Sequence, residues 1–182
     1  VMVEHFPLQE LNRWHVFQHG YIGLLGVLLF FVLSGYLITG ILLSSRSSRF
    51  QTALKRFYIR RMLRIFPIYY LTLIILFVVG APSVTDYIFW HAFYLSNVLF
   101  VLQPQVAAPI AHLWTLSVEE QFYLIWPFLI LVVPYKHLIR VILWAIGIGI
   151  CWKALIIGIV GNRVAGDLPV FSCLDSLALG AL

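Results

Sequence analysis

The chain has 182 residues, of which 62% are hydrophobic and only 10% charged, with a mean hydropathy of +0.98. Soluble domains carry about 45–50% apolar and about 25% charged residues, so a water-soluble fold is excluded and a bilayer is implied. The net charge of +5 is concentrated: seven of the twelve Lys and Arg residues lie between Arg46 and Arg64, a topology signal and not a nucleic-acid footprint.

In chain order, Tyr21 to Ser45 is uncharged for twenty-five residues, and about 20 suffice to cross the hydrocarbon core. The crossing, Tyr21 to Leu43, is followed by Arg46, Arg49, Lys55, Arg56, Arg60, Arg61 and Arg64, so it runs from outside to the cytoplasmic side. Ile65 to Thr85 is expected to return outward, with Pro67 in its first turn, where a missing N–H is tolerated. Asp86 to Ala111 is apolar and aromatic but broken by Asn97, Gln103, Pro104, Gln105 and Pro109, which makes it short or re-entrant. His112 to Val133 is long enough to cross. If Lys136, His137 and Arg140 beyond it are cytoplasmic, this span runs inward and Tyr87 to Leu102 is not a full crossing. Leu138 to Val160 then returns outward with Lys153 embedded in it, Asn162 to Phe171 forms an outer loop, and another helix begins at Leu174.

The expected fold is therefore all-α, a polytopic transmembrane helical bundle forming a single domain over residues 1–182. Val1 to Gln9 opens mid-pattern and Leu174 to Leu182 stops without a polar tail. On this reading the sequence is truncated at both ends and represents the N-terminal half of a larger domain.

Charges inside membrane spans cost roughly 2.5–3.5 kcal/mol each on insertion scales and so point to function. Here they are Glu119, Glu120, Lys153 and Asp175. His112, Thr115, Glu119 and Tyr123 share one helix face, while Trp114, Ser117 and Gln121 share another, so this helix lines a cavity or packs on polar partners. A plain alternative is that Glu119 or Glu120 pairs with Lys153 and ties two helices together. Arg56, Arg60 and Arg64 form an i, i+4, i+8 stripe, with Arg61 beside them, at the cytoplasmic mouth of a span. The stripe suits phosphate, or serves as a positive-inside anchor. In Phe30-Phe-Val-Leu-Ser-Gly35, the small pair Ser34 and Gly35 points to close helix packing rather than to a nucleophile. Cys151 and Cys173 have no metal-ligand spacing, no HExxH, P-loop or GxGxxG pattern occurs, and no metal site is expected.

Taken in order, the segments resemble the acyltransferase-3 family of integral-membrane O-acyltransferases. The pieces are His5-Phe6, Gly26-Val27 leading into Phe30 to Thr39, and Tyr58-Ile-Arg-Arg-Met-Leu-Arg-Ile-Phe-Pro67. They continue with Leu95-Ser-Asn97, His112 to Tyr123 with Trp126-Pro127, and Leu174-Asp-Ser-Leu-Ala-Leu-Gly180. The resemblance implies transfer of an acyl group, commonly acetyl, from cytosolic acyl-coenzyme A to hydroxyls of an extracytoplasmic glycan or glycosylated small molecule. It places the family histidine on His5, the Arg-x-x-Arg pair on Arg61 and Arg64, and the motif glutamate on Glu119. Thr115 stands where serine is usual, Cys173 stands where many members have arginine, and the basic residue expected eleven positions before His5 would precede Val1.

On that resemblance His5 is the general base and Glu119 its orienting carboxylate or part of the acceptor path. Arg61 and Arg64 hold the phosphates of acyl-coenzyme A, which is a co-substrate and not a bound cofactor. Trp114, Ser117 and Tyr123 are candidates for the oxyanion or the acceptor path. The expected partners are the lipid bilayer, a carbohydrate acceptor and acyl-coenzyme A, with no nucleic acid. The expected location is a bacterial-type cytoplasmic (inner) membrane. Two other readings are a polytopic transporter or flippase with buried carboxylates, and an inactive fragment of the acyltransferase.

Overall fold

The structure, a computed structural model, describes residues 21–107, 110–161 and 163–182, and every regular element among them is helical. An uncharged, proline-free run gives α1 (Tyr21–Ser44). A short turn at Ser45–Arg49 leads to α2 (Phe50–Val78), whose end is a Schellman cap: Gly80 takes the left-handed conformation at φ 77°, and the Gly80 and Ala81 N–H groups donate to Phe77 and Leu76. Pro82 then opens α3 (Pro82–Thr85) at a position where its missing N–H is harmless. Two more short pieces follow, α4 (Ile88–Ala92) and α5 (Ser96–Leu102), then a single 3₁₀ turn at Pro104–Val106. Beyond them come α6 (Leu113–Val132) and α7 (Tyr135–Leu155), which runs into a π-helical turn at Ile156–Val160. The described residues end with α8 (Arg163–Asp167) and α9 (Val170–Leu179).

Among the described residues, four helices are long and apolar enough to cross a membrane: α1, α2, α6 and α7. None of α3, α4 and α5, of four, five and seven residues, can do so, so no single helix of the segment between α2 and α6 crosses, as expected of a short or re-entrant stretch. The return span differs from the expected Ile65–Thr85, because its helix begins at Phe50 and ends at Val78. At 1.5 Å per residue, α2 is about 43 Å long against a hydrocarbon core of about 30 Å. Lys55, Arg56 and Arg60 are exposed on its first turns, where a helix can continue into the headgroup layer. The expected outer loop at Asn162–Phe171 also contains α8, and α9 starts at Val170, four residues before Leu174.

Side-chain bonds fix which ends of the spans lie together. Arg46, just after α1, donates through Nε to the Ile130 carbonyl at 2.9 Å and through its Nη2 to the Val133 carbonyl. The last carbonyls of a helix have no partner within it, so Arg46 caps α6 and puts the C-terminal end of α6 on the basic face beside the α1–α2 turn. Short turns join α1 to α2 and α6 to α7, and Arg46 sets the end of α6 beside the start of α2, so α1, α2, α6 and α7 alternate in direction.

Two apolar clusters share α6. One is built on Phe31, Ile38, Leu42, Val118, Phe122, Trp126, Ile142 and Leu177; the other joins Tyr69 and Leu73 of α2 to Val84, Tyr94, Leu99, Phe100 and Leu113. Helix α9 is clamped between α1 and α7 by small residues. A Cβ at Gly149 would stand 2.6 Å from the Asp175 nitrogen, and Gly35 and Gly180 meet the backbone at Leu177 and Val32 with no room for a side chain. The α3–α5 module is held by His91, fully buried on α4: Nε2–H donates to the Ser83 carbonyl at 3.0 Å, leaving Nδ1 to accept from the Ser96 hydroxyl at 2.8 Å. Burial pushes the His91 pKa down, which keeps the ring neutral and suited to that pattern.

Candidate active site

Glu119 is 4% exposed, on α6, and its partners come from three helices. The Ser34 hydroxyl of α1 donates to Oε1, and Tyr123, one turn further along α6, lies beside the pair. From α2, the Arg61 and Arg64 guanidiniums act on the carboxylate electrostatically. Arg61 also lies over the Tyr123 and Phe57 rings, with its guanidinium carbon 5.1 and 5.9 Å from their centroids. A buried carboxylate needs opposite charge and donors to persist in a bilayer, and here both are supplied.

Pro127 explains part of the local build. A proline in a helix interior has no N–H, so the Tyr123 carbonyl loses its usual partner four residues on. The Tyr58 hydroxyl of α2 fills the gap, donating to the carbonyls of Tyr123 and Leu124 at 3.1 Å each. The contact locks α2 to α6 one turn from Arg61. On the α1 side, Trp126 Nε1 donates to Thr39 Oγ1 at 2.8 Å, joining two of the motif segments. Asn97 and Gln121 exchange amide hydrogen bonds at 3.1 and 2.9 Å, and Gln121 also donates to the Tyr94 carbonyl at 2.9 Å.

The structure thus brings Glu119, Tyr123, Arg61 and Arg64 together and adds Ser34. The small-residue reading of α1 holds for Gly35, packed on α9, but Ser34 beside it bonds the motif glutamate across 85 positions of sequence. A serine midway along an uncharged span was the available signal. The Ser117 hydroxyl donates to the Leu113 carbonyl at 3.0 Å within its own helix, and Trp114 meets Phe31 edge-on at 5.9 Å. Arg56 and Arg60, with Ile59, line an open cavity of about 420 Å³. Lys153 does not pair with Glu119 or Glu120: its Nζ meets Asp175 Oδ2 of α9 at 2.6 Å, because α9 packs directly along α7. His5 lies outside the described residues. Among the described residues, no three His, Cys, Asp or Glu side chains converge as a metal set.

Fold and site together define a polytopic membrane protein with an ionisable centre buried between its helices. The family model for the acyltransferase domain matches residues 3–173, and the chain belongs to this acyltransferase-3 family. It is 38% identical over 124 residues to the peptidoglycan O-acetyltransferase OatA of Listeria monocytogenes, covering 60% of this chain and 20% of that protein. It is 34% identical over 132 residues to the "Putative peptidoglycan O-acetyltransferase YrhL" of Bacillus subtilis, covering 62% of this chain and 20% of that protein. A third relative, the "Putative O-acetyltransferase SACOL0978" of Staphylococcus aureus, is 34% identical over 146 residues, with 69% of this chain and 24% of that protein covered. The chain therefore spans about a fifth to a quarter of the length of these curated relatives. No solved structure matches it.

Proposed function

We propose that the protein transfers an acetyl group from cytosolic acetyl-coenzyme A to hydroxyls of an extracytoplasmic glycan, peptidoglycan by analogy with two of its relatives. The observation that carries this reading is the convergence of Arg61, Arg64, Ser34 and Tyr123 on Glu119 inside a membrane-spanning bundle of this family. Arg61 and Arg64 are suited to the diphosphate of coenzyme A, as guanidinium forks pair with phosphate oxygens. His5 takes the proton of the attacking hydroxyl, and an imidazole in that role contributes about 10²–10⁴-fold. Glu119, held by Ser34, orients the imidazole and balances the charge it gains. The positive-inside loop supports entry of the donor at the basic face of the bundle and of the acceptor at the opposite face.

The test is acetyl transfer by the intact protein in proteoliposomes, with labelled acetyl-coenzyme A on one side and a soluble glycan on the other. Transfer is expected in the wild type and absent in His5→Ala and Glu119→Gln at equal protein abundance. Undiminished transfer in both variants, or none from acetyl-coenzyme A in the wild type, overturns the reading.

A further inference from the structure

Three tyrosines meet beside Glu120, and their hydroxyls are not equivalent. Tyr69 and Tyr70 of α2 donate to the carbonyls of His91 and Ala92 at 2.7 and 2.9 Å, capping the end of α4. The Tyr94 ring stacks on Tyr69 with centroids 4.3 Å apart and touches Phe66 and Tyr70 at 5.7 and 6.2 Å. It is buried at 8% exposure, yet its hydroxyl has no hydrogen-bond partner among the described residues. Glu120 Oε1 is buried and unpartnered as well. The Glu120 carboxylate acts electrostatically on all three phenols, and Gln121, its neighbour on α6, is bonded to the Tyr94 backbone.

The backbone at Tyr94 makes the arrangement more telling. Tyr94 has φ 55°, in the left-handed region, at the position after a helix where glycine is the default. The Tyr94 and Leu95 N–H groups close that turn on His91 and Trp90, and a glycine would close it with less strain. The protein carries a disfavoured conformation there and gains a phenol that bonds nothing among the described residues. Burial first, and then the nearby Glu120 charge, raise the Tyr94 pKa, so the hydroxyl is a fixed donor.

A donor and an acceptor sharing one electrostatic neighbourhood without bonding each other accommodate a group that both accepts and donates. An alcohol does this. A carbonyl only accepts and an ammonium only donates. We propose that Tyr94 and Glu120 form the subsite for an acceptor hydroxyl, which accepts from the Tyr94 phenol and donates to Glu120. The Tyr69–Tyr94 stack supports the phenol from behind. Arg61 acts on Glu119 and Glu120 alike, so the subsite adjoins the candidate active site. The inference rests on the acyl-transfer reading and assigns it an acceptor-side anchor.

The test uses the intact protein in detergent with acetyl-coenzyme A and a soluble N-acetylglucosamine tetramer as the acceptor probe. Two quantities are read: steady-state transfer, and the rise in unfolding temperature that the tetramer alone produces. Tyr94→Phe, which keeps the ring stack, should raise the acceptor KM about three- to tenfold. Glu120→Gln should raise it about tenfold or more, since a charge-assisted bond is lost. In both, the KM for acetyl-coenzyme A stays at its wild-type value and the tetramer-induced shift shrinks. Without tetramer, Tyr94→Phe should unfold at or above the wild-type temperature, because no bond within the protein is removed.

Unchanged acceptor KM and unchanged shift in both variants overturn the subsite, leave acyl transfer standing, and assign the two groups to ordered water. Binding of the tetramer that is lost in the variants, with no transfer in the wild type, keeps the subsite and overturns the acyl-transfer reading. Neither binding nor transfer by the wild type overturns both.

Discussion

Gly35→Ala adds a single methyl group where α1 crosses α9. That methyl would stand 2.8 Å from the carbonyl carbon of Leu177 and 3.3 Å from its Cα, and closer still to the oxygen. Ordinary contact begins near 3.4 Å, and the obstructing atoms are backbone, so no side chain can rotate away. The helices must part by more than about 1 Å to relieve the oxygen contact, and overpacking of this kind costs about 1–3 kcal/mol or more. The adjacent Ser34 is bonded to Glu119, so the displacement reaches the site, where misplacement by about 1 Å can cost about 10²-fold in rate. Gly40→Ala provides the control, since nothing lies within 4 Å of a Cβ there and alanine is the better helix former by about 0.5–1 kcal/mol. Unfolding in detergent and acetyl transfer in proteoliposomes should show Gly35→Ala impaired in both and Gly40→Ala equal to wild type or more stable. Equal behaviour of the two alanine variants would refute the close α1–α9 contact and its coupling to Glu119.

Three further outcomes follow from the same geometry. In a background lacking Cys151 and Cys173, a cysteine at Ser47 should resist an impermeant thiol reagent added to intact cells while one at Gln105 reacts; the opposite pattern would invert the bundle. Replacing Arg61 and Arg64 together by glutamine should leave topology unchanged, because five of the seven clustered cations remain, and weaken acetyl-coenzyme A binding about ten- to hundredfold in a titration. Lysine at both positions should recover only part of that affinity, the charge being kept and the fork lost. Lys153→Met or Asp175→Asn alone should lower the unfolding temperature more than the double variant does, since a single change strands a partly buried charge.

The spans were legible because crossing a bilayer demands a run of apolar residues that composition cannot disguise, and Tyr21–Ser44 and Leu113–Val132 appear almost as read. Helix α2 was misread at its start because hydropathy measures the part that contacts lipid, whereas hydrogen bonding continues the helix through Arg56 and Arg60 into the headgroup layer. Glu119 stood out as a charge inside a span and Arg64 in a cationic stripe with Arg61 beside it, the motif resemblance assigned their roles, and their proximity is a property of the packed bundle. Ser34 reaching Glu119, and Lys153 choosing Asp175 over the α6 carboxylates, depend on which helices are neighbours, and one-dimensional spacing carries no such information. Tyr94 was invisible for a related reason: left-handed backbone is signalled by glycine, and here the turn is closed by a tyrosine.

The Arg46 cap has a consequence for how the protein is made. Arg46 emerges from the ribosome more than eighty residues ahead of the carbonyls it will bind, and until then it belongs to the basic segment that orients α1. When α6 is inserted with its end on that same face, the waiting guanidinium closes on Ile130 and Val133. If α6 entered the other way round, those carbonyls would lie a membrane's thickness from Arg46, about 30 Å, and the Arg46 cap would be lost. The charge that sets the direction of α1 thus proofreads α6, which has only Lys136, His137 and Arg140 nearby in sequence to orient it by itself.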